Sequence, residues 1–99
     1  MTIYEHKTSL TASAGSTSTT TLRVRGGLLR QVLITANTSS TVFRANIQDE
    51  DGINRLDWGF STGQLNEVGL AFPIVNSYRL NITNASPNDT FTVRMSVQE

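Results

Sequence analysis

The stretch FTVRMSVQ, residues 91–98, shows most clearly the pattern that decides the fold. Every second side chain is apolar and the positions between are polar, the apolar ones being Phe91, Val93, Met95 and Val97. Alternation with a period of two residues is typical of a β-strand that buries one face. Working outward, the same alternation occurs in three other segments, with apolar positions Leu22 and Val24, then Phe43, Ala45 and Ile47, then Tyr78, Leu80 and Ile82.

A fifth segment has a different pattern. Val32, Leu33 and Ile34 are apolar at successive positions, so both faces of that strand carry apolar side chains. A strand of this kind needs cover on both faces. We therefore expect it to lie centrally in the packing.

Composition supports the same fold class. The chain has 14 threonines, 7 valines and 6 isoleucines against only 6 alanines and 1 lysine, so residues that favour sheets outnumber good helix formers. A chain of 99 residues is long enough for one domain and one core. The composition predicts a single folded all-β domain.

Turn signals separate the segments. Gly26-Gly27 is typical of a tight hairpin, Asp51-Gly52 follows the segment that ends near Gln48, and polar breaks occur at 37–40 and 84–89. Further strands are expected near 2–10 and 70–75, the latter at a sheet edge because Pro73 cannot donate a backbone hydrogen bond. We predict one antiparallel β-sandwich over residues 1–99 with about eight strands, jelly-roll or immunoglobulin-like.

Two segments depart from the pattern. Residues 9–21, SLTASAGSTSTTT, contain few large side chains and are interpreted either as a polar edge strand with a loop or as an arm that orders against a neighbouring subunit. Residues 56–72 are expected to form a long loop. Its large apolar residues either plug one end of the sandwich or form a contact patch for a partner: Trp58, Phe60, Leu65 and Phe72.

Side chains for catalysis or metal binding are scarce. His6 is the single histidine and there is no cysteine, so one chain cannot supply a two-histidine metal site or a thiolate site. The acidic residues at 49–51 lack the terminal glutamate of a calcium loop, and no glycine-rich phosphate loop occurs. We predict no enzyme activity, no catalytic residue and no metal or other cofactor.

Charge and hydropathy exclude two classes of partner. Lys plus Arg balance Asp plus Glu at 8 each, which does not favour nucleic-acid binding. No apolar run is long enough to cross a membrane, and residues 1–10 do not resemble an export signal.

The choice of basic residue points instead to protein contacts. Seven of the eight basic residues are arginine, a residue enriched in protein interfaces where lysine is depleted. Ordinary solvent-facing positions paired with acidic residues remain the alternative. On neighbouring strands, outward arginines would form one surface that donates hydrogen bonds to carboxylates or backbone carbonyls of another protein. Five arginines occupy such polar positions of the predicted strands: Arg23, Arg25, Arg44, Arg79 and Arg94.

The chain as a whole resembles the small virion structural proteins of tailed bacteriophages, in particular capsid decoration or cement proteins. The resemblance lies in TASAGSTSTTT at 11–21, LLRQVLITANTSSTVFRANIQDEDGI at 28–53 and YRLNITNASPNDTFTVRMSVQE at 78–99. It implies a non-enzymatic β-domain, a homo-oligomer and most often a trimer, on the capsid surface of the virion. The partner would be the major capsid protein, contacted through the 9–21 arm and the 56–72 loop.

Two alternatives stay open. A tail, neck or head-fibre component would have a similar build. A carbohydrate- or receptor-binding β-sandwich is the alternative from another class, in which Trp58, Tyr4 or Tyr78 would stack on sugar rings.

Overall fold

The computed structural model describes residues 3–12, 17–22, 27–74, 78–85 and 88–98, and for 17–22 and 74 the backbone alone. All regular structure in these ranges is β-strand, as the sequence predicts. The strands are β1 (Ile3–Thr11), β2 (Thr17–Leu22), β3 (Gly27–Ala36), β4 (Val42–Gln48), β5 (Asn54–Thr62), β6 (Gln64–Glu67), β7 (Phe72–Ile74), β8 (Tyr78–Thr83) and β9 (Thr90–Gln98).

The strands form two antiparallel sheets. The β1 sheet has the order β1-β9-β3-β6, with β7 also paired to β3, and the β2 sheet has the order β2-β8-β4-β5. β6 pairs with residues 32–35 of β3 and β7 with residues 27–29, so the two short strands together take the place of one. The pairings are therefore nested, β1 with β9, β2 with β8, β3 with β6 and β7, and β4 with β5. This is the arrangement of an eight-strand jelly roll rather than of an immunoglobulin domain.

The apolar positions predicted from the alternation form the core between the two sheets. Phe43 and Phe91 are almost fully buried, and their ring centroids are 5.1 Å apart in an edge-to-face contact. Because β4 and β9 belong to different sheets, this contact joins the two layers. The remaining described members of the predicted alternation are also buried: Ala45, Ile47, Tyr78, Leu80, Ile82, Val93, Met95 and Val97.

β3 lies inside the β1 sheet, as expected, but it is covered on only one face. Val32 and Ile34 are fully buried, whereas Leu33 is partly exposed on the outer face. The prediction of cover on both faces is wrong within this chain, because the second sheet packs against only one side of β3.

The predicted hairpin at Gly26-Gly27 is wrong. β2 pairs with β8 and β3 pairs with β9, so the two strands lie in different sheets and the connection crosses between them. Gly27 begins β3, and 23–26 lie outside the described residues. The turn at Asp51-Gly52 is confirmed, since β4 and β5 on either side of it pair with each other.

The two irregular segments are mostly strand. The predicted loop at 56–72 is wrong, because it contains most of β5, all of β6 and the first residue of β7. Within 9–21, β1 continues to Thr11, and β2 pairs with β8 at the edge of its sheet, as the edge-strand alternative requires. Residues 13–16 lie outside the described part of the chain. Pro73 lies in β7 at the sheet edge, as predicted.

Gly63 links β5 of one sheet to β6 of the other. Its φ is +73°, its N–H donates to the Thr41 carbonyl at 2.7 Å, and its carbonyl accepts from Ala36 N–H at 2.9 Å. A Cβ at this position would lie 2.6 Å from the Ser39 carbonyl oxygen. Only glycine satisfies both the backbone conformation and this close approach.

We expect Gly63→Ala to lower the free energy of unfolding by roughly 3 kcal/mol, because backbone strain and a steric clash add together. Gly52→Ala is the matched control, since Gly52 has a φ of +78° and no atom within 4 Å of the added Cβ. It should cost only about 1 kcal/mol. Urea unfolding of both variants measures the difference, and equal losses would show that the close approach to Ser39 is not important.

Candidate interaction surfaces

The four apolar residues predicted as a plug or contact patch do not form one patch. Leu65 is buried in the core, and Trp58 and Phe72 are partly buried against it. Phe60 alone is exposed, at 63% of its surface. Trp58 and Phe60 belong to the β2 sheet and the other two to the β1 sheet, so three of the four serve the core and Phe60 is left for contacts.

A β-bulge at Gly59 turns Phe60 outward. β4 residues Arg44 and Asn46 pair with Phe60 and Asp57, so β5 has one extra residue in this interval. Gly59 has a φ of +67°, which suits the extra residue of such a bulge. Without the bulge, Phe60 would share the inward face of Trp58. The alternation in the sequence therefore does not reveal that Phe60 points outward.

Arg44, Asp57 and Phe60 form a compact cluster on the outer face of the β2 sheet. The Arg44 guanidinium donates two hydrogen bonds to the Asp57 carboxylate, at 3.2 and 2.6 Å, and its carbon lies 5.8 Å from the centroid of the Phe60 ring. The hydrogen bond from Arg44 lowers the pKa of Asp57, assisted by the Gly59 N–H, and raises the pKa of Arg44. The ion pair and the ring contact hold the arginine in one orientation.

Two amide pairs continue this cluster along β4. Asn81 Nδ2 on β8 donates to Asn46 Oδ1 at 3.1 Å, and Gln48 Nε2 donates to Asn54 Oδ1 on β5 at 2.8 Å. Three successive outward positions of β4 are thus each joined to a neighbouring strand. We call these the β4 rungs: Arg44–Asp57, Asn46–Asn81 and Gln48–Asn54.

The middle rung is unusual for a sheet. Asparagine is disfavoured in strands, and here two of them face each other at the centre of the β2 sheet. Asn46 and Asn81 are only 8% and 7% exposed although they point away from the core. Residues that are unfavourable for their secondary structure concentrate at functional sites. The two asparagines in the middle of strands were therefore the signal in the sequence that could have identified this site.

The arginines predicted to form one surface are divided between two. Arg44 and the exposed Arg79 face outward on the β2 sheet, where Arg79 pairs with Gln48. Arg94 is exposed on the outer face of the β1 sheet, opposite Lys7 and Leu33. Arg23 and Arg25 lie outside the described residues. The expected surface of five neighbouring arginines is therefore wrong for the described three.

The outer face of the β1 sheet carries four apolar side chains among polar ones. Leu28 and Leu33 of β3 are partly exposed and, in the described structure, do not belong to the groups packed against the core. Gln98 lies between Leu28 and Ile3, which is 60% exposed, and exposed Pro73 pairs with Leu28 from the other side. Gln31 lies between Leu28 and Leu33 along β3. We call the four apolar residues the apolar strip: Ile3, Leu28, Leu33 and Pro73.

The prediction that Tyr78 stacks on a sugar ring, which was one form of the carbohydrate-binding alternative, is wrong. Tyr78 is 5% exposed and packs edge to face on Phe72 with centroids 5.5 Å apart. Tyr4 and Trp58 are both partly buried. The exposed aromatic ring among the described side chains is Phe60.

Within the ranges given above, no group of three or more His, Asp or Glu could hold a metal ion, and no helix could cross a lipid bilayer. One shallow cavity of about 240 Å³ lies beside Gly63. Its lining residues are Thr35, Ala36, Ser39, Thr62, Gly63 and Gln64.

Comparisons with known proteins add the following. No protein-family model and no curated protein matches the chain. Among solved structures, a family two carbohydrate esterase from Cellvibrio japonicus is similar over 97% of this chain and 34% of its own, with 13% identity and a TM-score of 0.48. PliG from Aeromonas hydrophila, a periplasmic inhibitor of g-type lysozyme, is similar over 97% of this chain and 86% of its own, with 16% identity and a TM-score of 0.46. The chain thus spans about a third of the esterase, and neither similarity indicates an activity for it.

The Arg44–Asp57 pair should make stability depend on pH in acid. Because the pKa of Asp57 is lowered in the folded protein, its contribution is fully present above the ordinary aspartate pKa of about 3.9 and is lost as pH falls through the lower folded value. We expect Asp57→Asn to flatten the fall in urea midpoint below about pH 4. Arg44→Gln should flatten it similarly, and unchanged slopes in both variants would contradict the prediction.

The Asn46–Asn81 pair should behave as a unit. Asn46→Val leaves the nearly buried Asn81 amide without this partner, so we expect a loss of about 1–2 kcal/mol in the free energy of unfolding. The double variant Asn46→Val with Asn81→Val removes both polar groups and should lie within about 1 kcal/mol of the natural protein. Urea unfolding of the two single variants and the double variant measures the coupling, and strictly additive losses would contradict it.

Proposed function

We propose that this protein is a non-enzymatic virion structural protein of a tailed bacteriophage, a capsid decoration protein that binds the major capsid protein lattice. Its docking surface in this proposal is the apolar strip of the β1 sheet. The proposal combines the resemblance in the sequence with one structural observation, the incomplete cover of β3. A tail, neck or head-fibre protein would use the same surface on a different virion partner.

The observation that carries the proposal is the partial exposure of Leu33 on the outer face of β3. Three consecutive apolar residues on β3 favour cover on both faces, and the second sheet of this chain covers one. Leu28 lies on the same uncovered face. A neighbouring protein that packs on this face would supply the missing layer. Because both leucines are already partly buried, burial of their remaining surface would contribute about 1–3 kcal/mol.

The charge pattern around the strip suits a protein partner. Arg94 lies directly opposite Leu33, and Lys7 lies opposite Arg94 on β1. An apolar centre with arginine at its side is typical of residues that dominate binding energy in protein interfaces. Acidic side chains or backbone carbonyls of the capsid protein would be the complementary groups.

Repetition would strengthen a modest contact. A capsid presents the same site many times, and a homotrimer of this chain would engage three sites at once. Each copy then needs only moderate affinity. A decoration protein needs no catalytic residue in this role, because it stabilises the capsid through surface contacts.

Replacing both leucines should weaken capsid binding while the domain stays folded. We expect Leu28→Ser with Leu33→Ser to weaken binding to purified expanded capsids by about 10-fold to 100-fold, because the exposed part of both side chains loses its burial against the partner. The domain should lose about 1–3 kcal/mol, since both side chains are also partly buried within the chain. Co-sedimentation measures the binding, and urea unfolding measures the stability.

Phe60→Ala is the matched control on the opposite sheet, because Phe60 is also an exposed large apolar residue. It should leave capsid binding unchanged. Loss of capsid binding in Phe60→Ala with retention in the double leucine variant would place the contact on the β2 sheet and contradict the proposal. Light scattering of the free protein tests the trimer separately, and a strict monomer that also fails to bind capsids would remove the proposal as a whole.

A further inference from the structure

We infer that the outer face of the β2 sheet is a carbohydrate-binding surface, in which the β4 rungs hydrogen-bond the hydroxyl groups of an oligosaccharide chain and Phe60 packs on a sugar ring. This surface lies on the opposite side of the sandwich from the apolar strip. The inference is independent of the proposed function, because neither the residues nor the partner are shared.

The hydrogen-bonding capacity of the rungs matches hydroxyl groups. Each amide pair is joined by one hydrogen bond, so its own bond leaves one amide carbonyl oxygen and one NH₂ group of the pair unused. A hydroxyl group donates and accepts, and it can therefore satisfy both. A carboxylate or phosphate accepts only, and an ammonium group donates only, so both match these pairs less well.

The charge of the surface also favours a hydroxylated ligand over an ion. The guanidinium of Arg44 is held by the Asp57 carboxylate in a two-point contact, which neutralises the first rung. The other two rungs are neutral amides. Arg79, exposed beside Gln48, adds planar donors at the far end of the face.

The shape of this surface suits an extended oligosaccharide. Asn46 and Asn81 are about nine-tenths buried, whereas Asp57 and Phe60 on one side and Asn54 on the other are exposed. The Asn46–Asn81 pair therefore lies deeper in the surface than the Arg44–Asp57 and Gln48–Asn54 pairs on either side of it. Outward positions along β4 repeat about every 7 Å, so successive rungs can contact different hydroxyl groups or sugar units.

Rigidity reduces the entropic cost of binding. The three rungs are already joined by hydrogen bonds across strands, and Phe60 is fixed beside Arg44. Side chains that are ordered before binding lose little freedom when a ligand arrives. An exposed aromatic ring next to planar hydrogen-bonding groups provides both an apolar face for sugar C–H groups and polar partners for their hydroxyls.

The test is a ¹⁵N NMR titration of the full chain with three neutral hexasaccharides, a linear α-1,4-glucan, a β-1,4-glucan and a β-1,4-mannan, and with an α-1,4-galacturonan hexasaccharide as the anionic comparison, each to 10 mM. We expect at least one neutral sugar to shift the side-chain NH₂ signals of Asn46, Gln48, Asn54 and Asn81 and the Nε–H signal of Arg44. Absence of shifts with all three neutral sugars, shifts confined to other residues, or shifts with the galacturonan alone overturns the inference.

Matched variants separate recognition from folding. Phe60→Ala and Gln48→Ala should each weaken the responding sugar by about threefold to tenfold while the backbone spectrum stays folded. Gln31→Ala is the control, because Gln31 Nε2 donates to Asn66 Oδ1 at 3.1 Å in an isolated amide pair on the β1 sheet. Affinity unchanged by Phe60→Ala and Gln48→Ala, or lowered equally by Gln31→Ala, overturns the inference. Capsid co-sedimentation of Phe60→Ala and Gln48→Ala is expected to be unchanged, so a failure of sugar binding is distinguishable from a failure of capsid binding.

Discussion

The edge-to-face contact between Phe43 and Phe91 joins two sheets that cannot be stable separately. β3 and β9 in one sheet and β4 and β8 in the other each have one buried apolar face, so each sheet alone would expose a row of apolar side chains to water. Packing these faces against each other removes both rows from water at once. The nested strand pairing of the jelly roll is the chain path that brings β4 and β9 into this contact.

That arrangement leaves two outer faces, and they differ in chemistry. The β1 sheet presents the apolar strip, which the second layer of the sandwich cannot reach. The β2 sheet presents the β4 rungs, whose polar groups are paired between strands. The two outer faces therefore differ in the side chains they expose, apolar residues among charged and amide groups on one and hydrogen-bonded polar pairs on the other.

Glycine sets which side chains reach these faces. Gly59 inserts one residue into β5 and so moves Phe60 from the inward to the outward face beside Arg44. Gly63 lets the chain pass from one sheet to the other where a side chain would clash with Ser39. Both positions use a positive φ that other residues rarely adopt.

The sequence by itself determined the all-β class and the core positions of β4, β8 and β9, because alternation along a strand records which side chains are buried. It could not determine strand partners, so Gly26-Gly27 was predicted as a hairpin although β2 and β3 lie in different sheets. It also could not show that Asn46 and Asn81, separated by 35 residues, would meet as a hydrogen-bonded pair. Only the tertiary structure decided these features, since pairing between distant strands depends on the packing of the whole core and not on local preference.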